Sequence, residues 1–269
     1  ASGEQMELTS REPHHDPLRP AKDYERQVVA ARSRGLVYPY EIIRMLTFDE
    51  ESADIPADNT LLPRGSFEEY DIETGPDGVR AVSVAGREYG RNQSGVVFGI
   101  ISTPTGKVSE GMRRVLILSD PNRGMGSLAV AECARLVAAI DLAERERIPV
   151  EWIPVSSGAA IAMDSGTENL DATARVVRRI VTFTQAGGAI HVIVSGVNVG
   201  AQSYFDALAT MLMHTRGVLI MTPKGSMVLT GRAALEASGG VSAEDEIAIG
   251  GFERVMGPNG QAQYYAKNL

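Results

Sequence analysis

The sequence predicts an α/β protein with a layered core, and three observations carry that reading. Beyond Gly95, short β-rich runs at Val96–Ser102, Val115–Ser119, Val150–Val155, His191–Ser195 and Val218–Met221 alternate with helical stretches. Two runs break into small residues before a helical pattern resumes, at Val155-Ser156-Ser157-Gly158-Ala159 and at Val194-Ser195-Gly196-Val197-Asn198-Val199-Gly200-Ala201. Glycines stand where helices must stop, at Gly187-Gly188, Gly217 and Gly239-Gly240.

Along the chain, residues 1–21 show no period around His14-His15-Asp16-Pro17 and read as a flexible tail or linker. Residues 22–95 form an N-terminal module of helices plus a β-hairpin. Its helical pattern from Ala21 to Thr47 is broken by Gly35 and Pro39, which predicts two helices. The turn Gly75-Pro76-Asp77-Gly78 then joins strands over Glu69–Glu73 and Val79–Val84. Residues 96–269 are the α/β core. There Val130, Cys133, Leu136, Val137 and Ile140 recur at helical spacing, as do Leu170, Ala174, Val177 and Val181 within Glu168–Gln185. Two further helices are expected at Ala201–Thr215 and Met227–Ala237, with Met211 and Met213 in the core.

Composition narrows the function. The chain has 269 residues, a net charge of −8 and scattered Lys and Arg, which argues against a surface that tracks nucleic-acid phosphates. A single cysteine, Cys133, excludes an internal disulfide framework and a Cys-rich zinc site and reads as a core residue. No apolar run reaches the ~18–20 residues of a membrane span, and Ala1-Ser2-Gly3-Glu4 has neither region of a signal peptide. The expectation is a cytoplasmic protein without metal. The absence of an initial Met fits a chain that is trimmed or cut from a longer polypeptide.

Familiar motifs fail on spacing. Gly124-Met125-Gly126-Ser127-Leu128-Ala129 matches G-x-G-x-x-A, but four residues separate it from the strand end at Ser119 and no acidic residue ends the next strand. Gly99 through Gly106-Lys107 has six intervening residues where a P-loop has four, and Val108 stands where Ser or Thr is needed. There is no G-x-S-x-G elbow and no H-E-x-x-H, and His191 and His214 read as structural.

Without a side-chain nucleophile or histidine base, the chemistry falls to the backbone. The two small-residue turns offer the N–H groups of Ala159 and Val199, each expected where its helix begins. Two such donors suit a reaction that builds charge on a thioester oxygen, as when an enolate forms. Each turn alone also reads as an ordinary strand-to-helix connection.

Taken in order, Ser157-Gly158-Ala159, Val197-Asn198-Val199-Gly200-Ala201, Thr230-Gly231, Gly250-Gly251 and Asn259-Gly260 resemble the N-terminal half of the carboxyltransferase domain of biotin-dependent acyl-CoA carboxylases. Tyr38-Pro39-Tyr40-Glu41 and Gly257-Pro258-Asn259-Gly260-Gln261 bring the likeness nearest to multidomain acetyl-CoA carboxylases and single-chain bacterial acyl-CoA carboxylases, the acetyl-CoA and long-chain acyl-CoA type, from about Ala21 to Leu269. The resemblance implies a crotonase-like ββα spiral. It implies carboxyl transfer from carboxybiotin, carried on a separate domain, to the α-carbon of a coenzyme A thioester. Ala159 and Val199 would be the oxyanion amides, with Gly158, Asn198 and Gly200 on the substrate side. The implied partners are a C-terminal carboxyltransferase half, a biotin carboxyl carrier and a biotin carboxylase, in an oligomer without nucleic acid or membrane.

Two positions depart from the family, which carries arginine where this chain has Ala160 and, in multidomain members, near Gly196. Arg123, Lys224 and Arg232 are the alternative cations. The departures motivate a second reading, a noncatalytic crotonase-fold subunit for complex assembly. A third is a biotin-independent enoyl-CoA hydratase or isomerase, with Asp164 or Glu168 as acid or base.

Overall fold

The computed structural model describes residues 20–48, 64–76, 78–163, 165–211, 215–239 and 243–269. His14, His15, Asp77, Asp164, Met213, His214 and Gly240 lie outside the described residues.

Helices α1 (Asp23–Ser33) and α2 (Pro39–Thr47) separate at Gly35, and Pro39 opens α2 at a position where its missing N–H costs nothing. Strands β1 (Ser66–Gly75) and β2 (Gly78–Ser83) form the expected hairpin. A second hairpin follows, β3 (Val96–Thr105) and β4 (Val108–Ser119), with Gly106-Lys107 at its turn.

From β4 onward one unit repeats: a strand in the large sheet, a short extended piece in a small layer, then a helix. The first turn is β4, Leu128 and α3 (Val130–Glu146); the second is β5 (Val150–Ile153), Ser156 to Ala159 and α4 (Thr167–Gln185). The third is β6 (Ile190–Val194), β7 (Val197–Val199) and α5 (Ala201–Thr210). The fourth is β8 (Leu219–Met221), β9 (Ser226–Val228) and α6 (Arg232–Ala237). Helix α7 (Glu246–Gly250) and β10 (Tyr264–Tyr265) close the chain. The small layer is stitched by parallel bridges Leu128 to Ala159 and Ser156 to Asn198 and by the parallel β7–β9 pair. This is a ββα spiral.

The large sheet has eight strands in the order β10-β8-β6-β5-β4-β3-β1-β2, parallel from β10 to β4 and antiparallel beyond. The β1–β2 hairpin is therefore its outer edge. Both faces are covered, so side chains of alternate strand residues enter different cores. Val96, Phe98, Val115, Ile117, Val150 and Trp152 face α3, α4 and α5; Val97, Ile101, Leu116, Leu118 and Ile153 face α1 and α2. Trp152 stacks on Phe205 of α5 at 6.0 Å, at the centre of the larger core. Arg87 bridges Glu69 and Asp71, Arg135 of α3 also bonds Asp71 at 2.8 Å, and Tyr40 of α2 donates to Glu69, tying the hairpin to both layers.

Four local expectations are corrected. No helix follows Ala159 directly; α4 begins at Thr167. On α4 the buried stripe is Ala172, Val176, Ile180 and Phe183, while Leu170 is 51% exposed, because packing between α3 and α5 selects one of two apolar stripes. Helix α5 stops at Thr210, whose hydroxyl bonds back to the Asp206 carbonyl, and Met211 is extended and 40% exposed. Met227 lies in a strand, since Ser226–Val228 pairs with β7 before Gly231 caps the short α6.

Candidate functional site

The small layer brings the two sequence-predicted turns together. Gly158 has φ +93°, a conformation L side chains rarely adopt, and a Cβ there would lie 3.2 Å from the Val199 carbonyl oxygen. Around it the chain is tightly bonded. Leu128 N–H donates to Gly158 O and Ala160 N–H to Leu128 O, both at 2.9 Å, and Asn169 Nδ2 donates to Ala160 O at 2.7 Å. Asn169 also accepts from Val130 N–H, so one buried amide fixes the start of α3 and the end of this turn. Ser157 is held from the other side, its N–H on Met125 O and its hydroxyl on Gly124 O. Ala159, half-buried, is left with an N–H that has no partner among the described residues.

The loop that grips Ser157 is strained. Gly124, Met125 and Gly126 all have positive φ, at 56°, 54° and 69°. A Cβ on Gly126 would fall 2.0 Å from Val155 O, so this glycine is required for the loop to reach the turn. The G-x-G pattern of the sequence thus supports a neighbouring turn.

At the second turn the donors differ from expectation. Val199 N–H is committed to Ser156 O at 2.9 Å, and Gly200 N–H to Val228 O at 2.9 Å. Gly200, at φ +56° and ψ −118°, then redirects the chain into α5. The first N–H groups of that helix, beginning with Ala201, point out of its positive end. Ala201 N–H has no partner among the described residues. Asn198 also departs from its expected place on the substrate side. Its side chain is fully buried and donates to Asp206 Oδ2 at 2.6 Å, while Gln202 donates to Asp206 Oδ1 at 2.8 Å. Ser203 Oγ bonds the carbonyls of Asn198 and Val228. Gln202, Ser203 and Asp206 went unnoticed in the sequence because they read as polar positions of an ordinary helix.

The remaining groups settle by environment. Burial pushes the Cys133 thiol up to about 12, the behaviour of a core residue. The Glu168 carboxyl is fully exposed and held below its ordinary range by backbone N–H groups, its own and that of Gly166, at the start of α4. It is an ionised helix-start acid. Arg123 bonds Asn92 O, Lys224 bonds Gly35 O and Arg232 bonds Glu244 O. A Cβ at Gly196 would come within 3.0 Å of Leu36 and Val155 side chains, so an arginine there requires both to move. Among the described residues no group of His, Cys, Asp and Glu is placed to hold a metal. No helix among them is long and apolar enough to cross a membrane.

A ββα spiral whose small layer presents backbone amides defines a crotonase-like fold, which the chain shares with solved subunits of a carboxylase and a transcarboxylase. The beta subunit of P. aeruginosa geranyl-CoA carboxylase superposes with a TM-score of 0.63 at 18% identity, over 90% of this chain and 39% of that one. Transcarboxylase 12S, a hexamer solved with methylmalonyl-coenzyme A and methylmalonic acid, gives 0.62 at 19% identity, over 91% and 41%. The carboxyl transferase domain matches residues 55–268, and the chain belongs to that family. It spans about two fifths of the length of these two solved chains. No curated protein matches it.

Proposed function

We propose that this chain supplies the acyl-CoA side of a biotin-dependent acyl-CoA carboxyltransferase and works with a C-terminal carboxyltransferase half, a biotin carboxyl carrier and a biotin carboxylase in an oligomer. The observation that carries the reading is the pair of uncommitted amides. Ala159 N–H is the one donor left over in a turn otherwise closed by hydrogen bonds, and Ala201 N–H opens the helix that follows the adjoining turn. Family membership supports the chemistry: carboxybiotin would give up its carboxyl group to the α-carbon of a CoA thioester, and the proton leaving that carbon would pass to the freed biotin nitrogen. This chain's part is to hold the thioester oxygen while negative charge gathers there. Val199, the donor expected from sequence, serves in this reading by locking the turn to Ser156, and the second donor passes to Ala201. Gly158 and Gly200 let the backbone approach the ligand, and Asn198 acts from behind the turn.

The test is the reverse reaction, malonyl-CoA or methylmalonyl-CoA with free biotin, using this chain alone and with its C-terminal half. Carboxylation of biotin that requires both halves is the expected result. A pair that binds no CoA ester and transfers no carboxyl group refutes the reading. That outcome would leave the noncatalytic assembly role, which the commitment of Val199 N–H and the presence of Ala160 favour. For the hydratase reading, Glu168 is ionised and so suits the role of base and not of acid, and Asp164 lies outside the described residues.

A further inference from the structure

Behind the β7–α5 turn lies a polar cluster built on Asp206, a carboxylate that the proposed chemistry does not use. Asp206 is fully buried on α5, and its hydrogen-bond donors are two neutral amides, Asn198 Nδ2 at 2.6 Å and Gln202 Nε2 at 2.8 Å. No cation bonds it. Asn198 is itself fully buried in β7, and its Oδ1 has no partner among the described residues. A lone buried carboxylate is costly, and so is an orphaned amide oxygen one bond away.

The two costs are linked. With Asp206 ionised, Asn198 Nδ2 donates to it and Oδ1 is stranded. With Asp206 protonated, a turned-over Asn198 amide accepts the carboxyl proton on Oδ1 and Nδ2 takes the stranded place. Each protonation state leaves one unsatisfied atom, so neither locks the cluster. Burial pushes the Asp206 carboxyl up to about 7, against the two amide donors.

The geometry points to Asp206 as a positioning residue: through Asn198 and Gln202 it holds the β7–α5 turn, and its proton sets how firmly that turn is closed. Asn198 sits in β7 between Val197, which accepts from Ser156 N–H, and Val199, which donates to Ser156 O. Gln202 lies in the first turn of α5 beside Ala201. Ionisation raises the cost of keeping the carboxylate dry, and opening of the turn relieves it.

Among the described residues, other charges on the elements packed against α5 do not answer Asp206. On α4, Arg175 pairs with Asp171, Arg179 pairs with Asp141 and Glu144, and Glu168 and Arg178 are exposed. On β6, half-buried His191 sits near Glu151 and below its ordinary pKa through burial. Strands β7 and β8 carry no titratable side chain. On α5 itself Tyr204 is exposed.

The positioning of a thioester by this turn rests on the proposed function; the proton-linked closure of the turn does not. Amide hydrogen exchange of the full chain at pH 6 and pH 8, corrected for intrinsic rates, tests the closure without any ligand. Protection at Val199 and Gly200 is expected to fall at least tenfold from pH 6 to pH 8. In Asp206→Asn it should stay flat. Gln202→Leu removes a donor to the ionised form and should move the midpoint to higher pH, which decides the matter where Asp206→Asn does not fold. Equal pH dependence in Asp206→Asn, no dependence in the unmodified chain, or an unmoved midpoint in Gln202→Leu overturns the inference. In the complete enzyme, KM for methylmalonyl-CoA should rise over the same pH interval and be flat in Asp206→Asn. If the exchange behaves as stated and no CoA ester binds in any form, the proposed function fails and the closure stands.

Discussion

Replacing Ala201 by proline separates the chemistry proposed for its amide from the stability of the helix it begins. Ala201 is the first residue of α5, where proline is tolerated, and its N–H bonds no described residue. The substitution therefore removes no hydrogen bond from the fold, and stability should change by no more than about 1 kcal/mol. Loss of one oxyanion donor, by contrast, costs about 3–4 kcal/mol, or ~10²–10³ in kcat. Ala159→Pro should give a kcat loss of the same order. Val199→Pro is the informative contrast: it breaks the 2.9 Å bond to Ser156 O and should lower stability by roughly 1 kcal/mol while sparing more activity than Ala201→Pro. The assay is reverse carboxyl transfer with the C-terminal half present, beside thermal unfolding of each variant. Unchanged kcat in a folded Ala201→Pro protein, or a loss that follows Val199→Pro alone, would refute the assignment of donors.

Three further outcomes are expected. Because folded Asp206 holds its proton to about pH 7 and the unfolded carboxyl ionises near 3.8, its contribution is fully present below pH 3.8 and is lost as pH rises toward 7. Urea unfolding across that range should show a decline of the order of 4 kcal/mol that Asp206→Asn abolishes. Gly126→Ala forces a Cβ onto Val155 O and should destabilise the chain by about 1–3 kcal/mol, read by chemical denaturation, and lower kcat by freeing the Ala159 turn. Trp152→Ala empties the centre of the larger core beside Phe205 and should cost about 3–5 kcal/mol in the same measurement.

The alternation of strands and helices, the break at Gly35 and the two small-residue turns were legible in the sequence, because hydrophobic period and glycine placement are local signals. The family resemblance was legible too, since it rests on the order and spacing of those turns. The bounds of the later helices were not. Met227 has the composition of a helix start, and only pairing with β7 makes it a strand. Leu170 and Ala172 lie on different faces of α4, and the neighbours α3 and α5 decide which face is buried.

The site divides in the same way. Sequence marked Ala159 and Gly158 because a turn of small residues admits a ligand to the backbone. Whether an N–H is free is decided by what lies opposite, and Ser156 lies opposite Val199 while nothing described lies opposite Ala201. Asn198 in the sequence sits inside the turn and invites a substrate role. In the fold, strand alternation turns its side chain inward to Asp206, eight residues on, and two helical turns bring that carboxyl back beneath it. The sequence by itself determined the alternation of strands and helices and where small residues break it, because those depend on residue size and period, and the spiral followed from the family resemblance. The tertiary structure alone decided which amides are available and which carboxylate stands behind them, because hydrogen-bond partners are set by segments that meet only after folding.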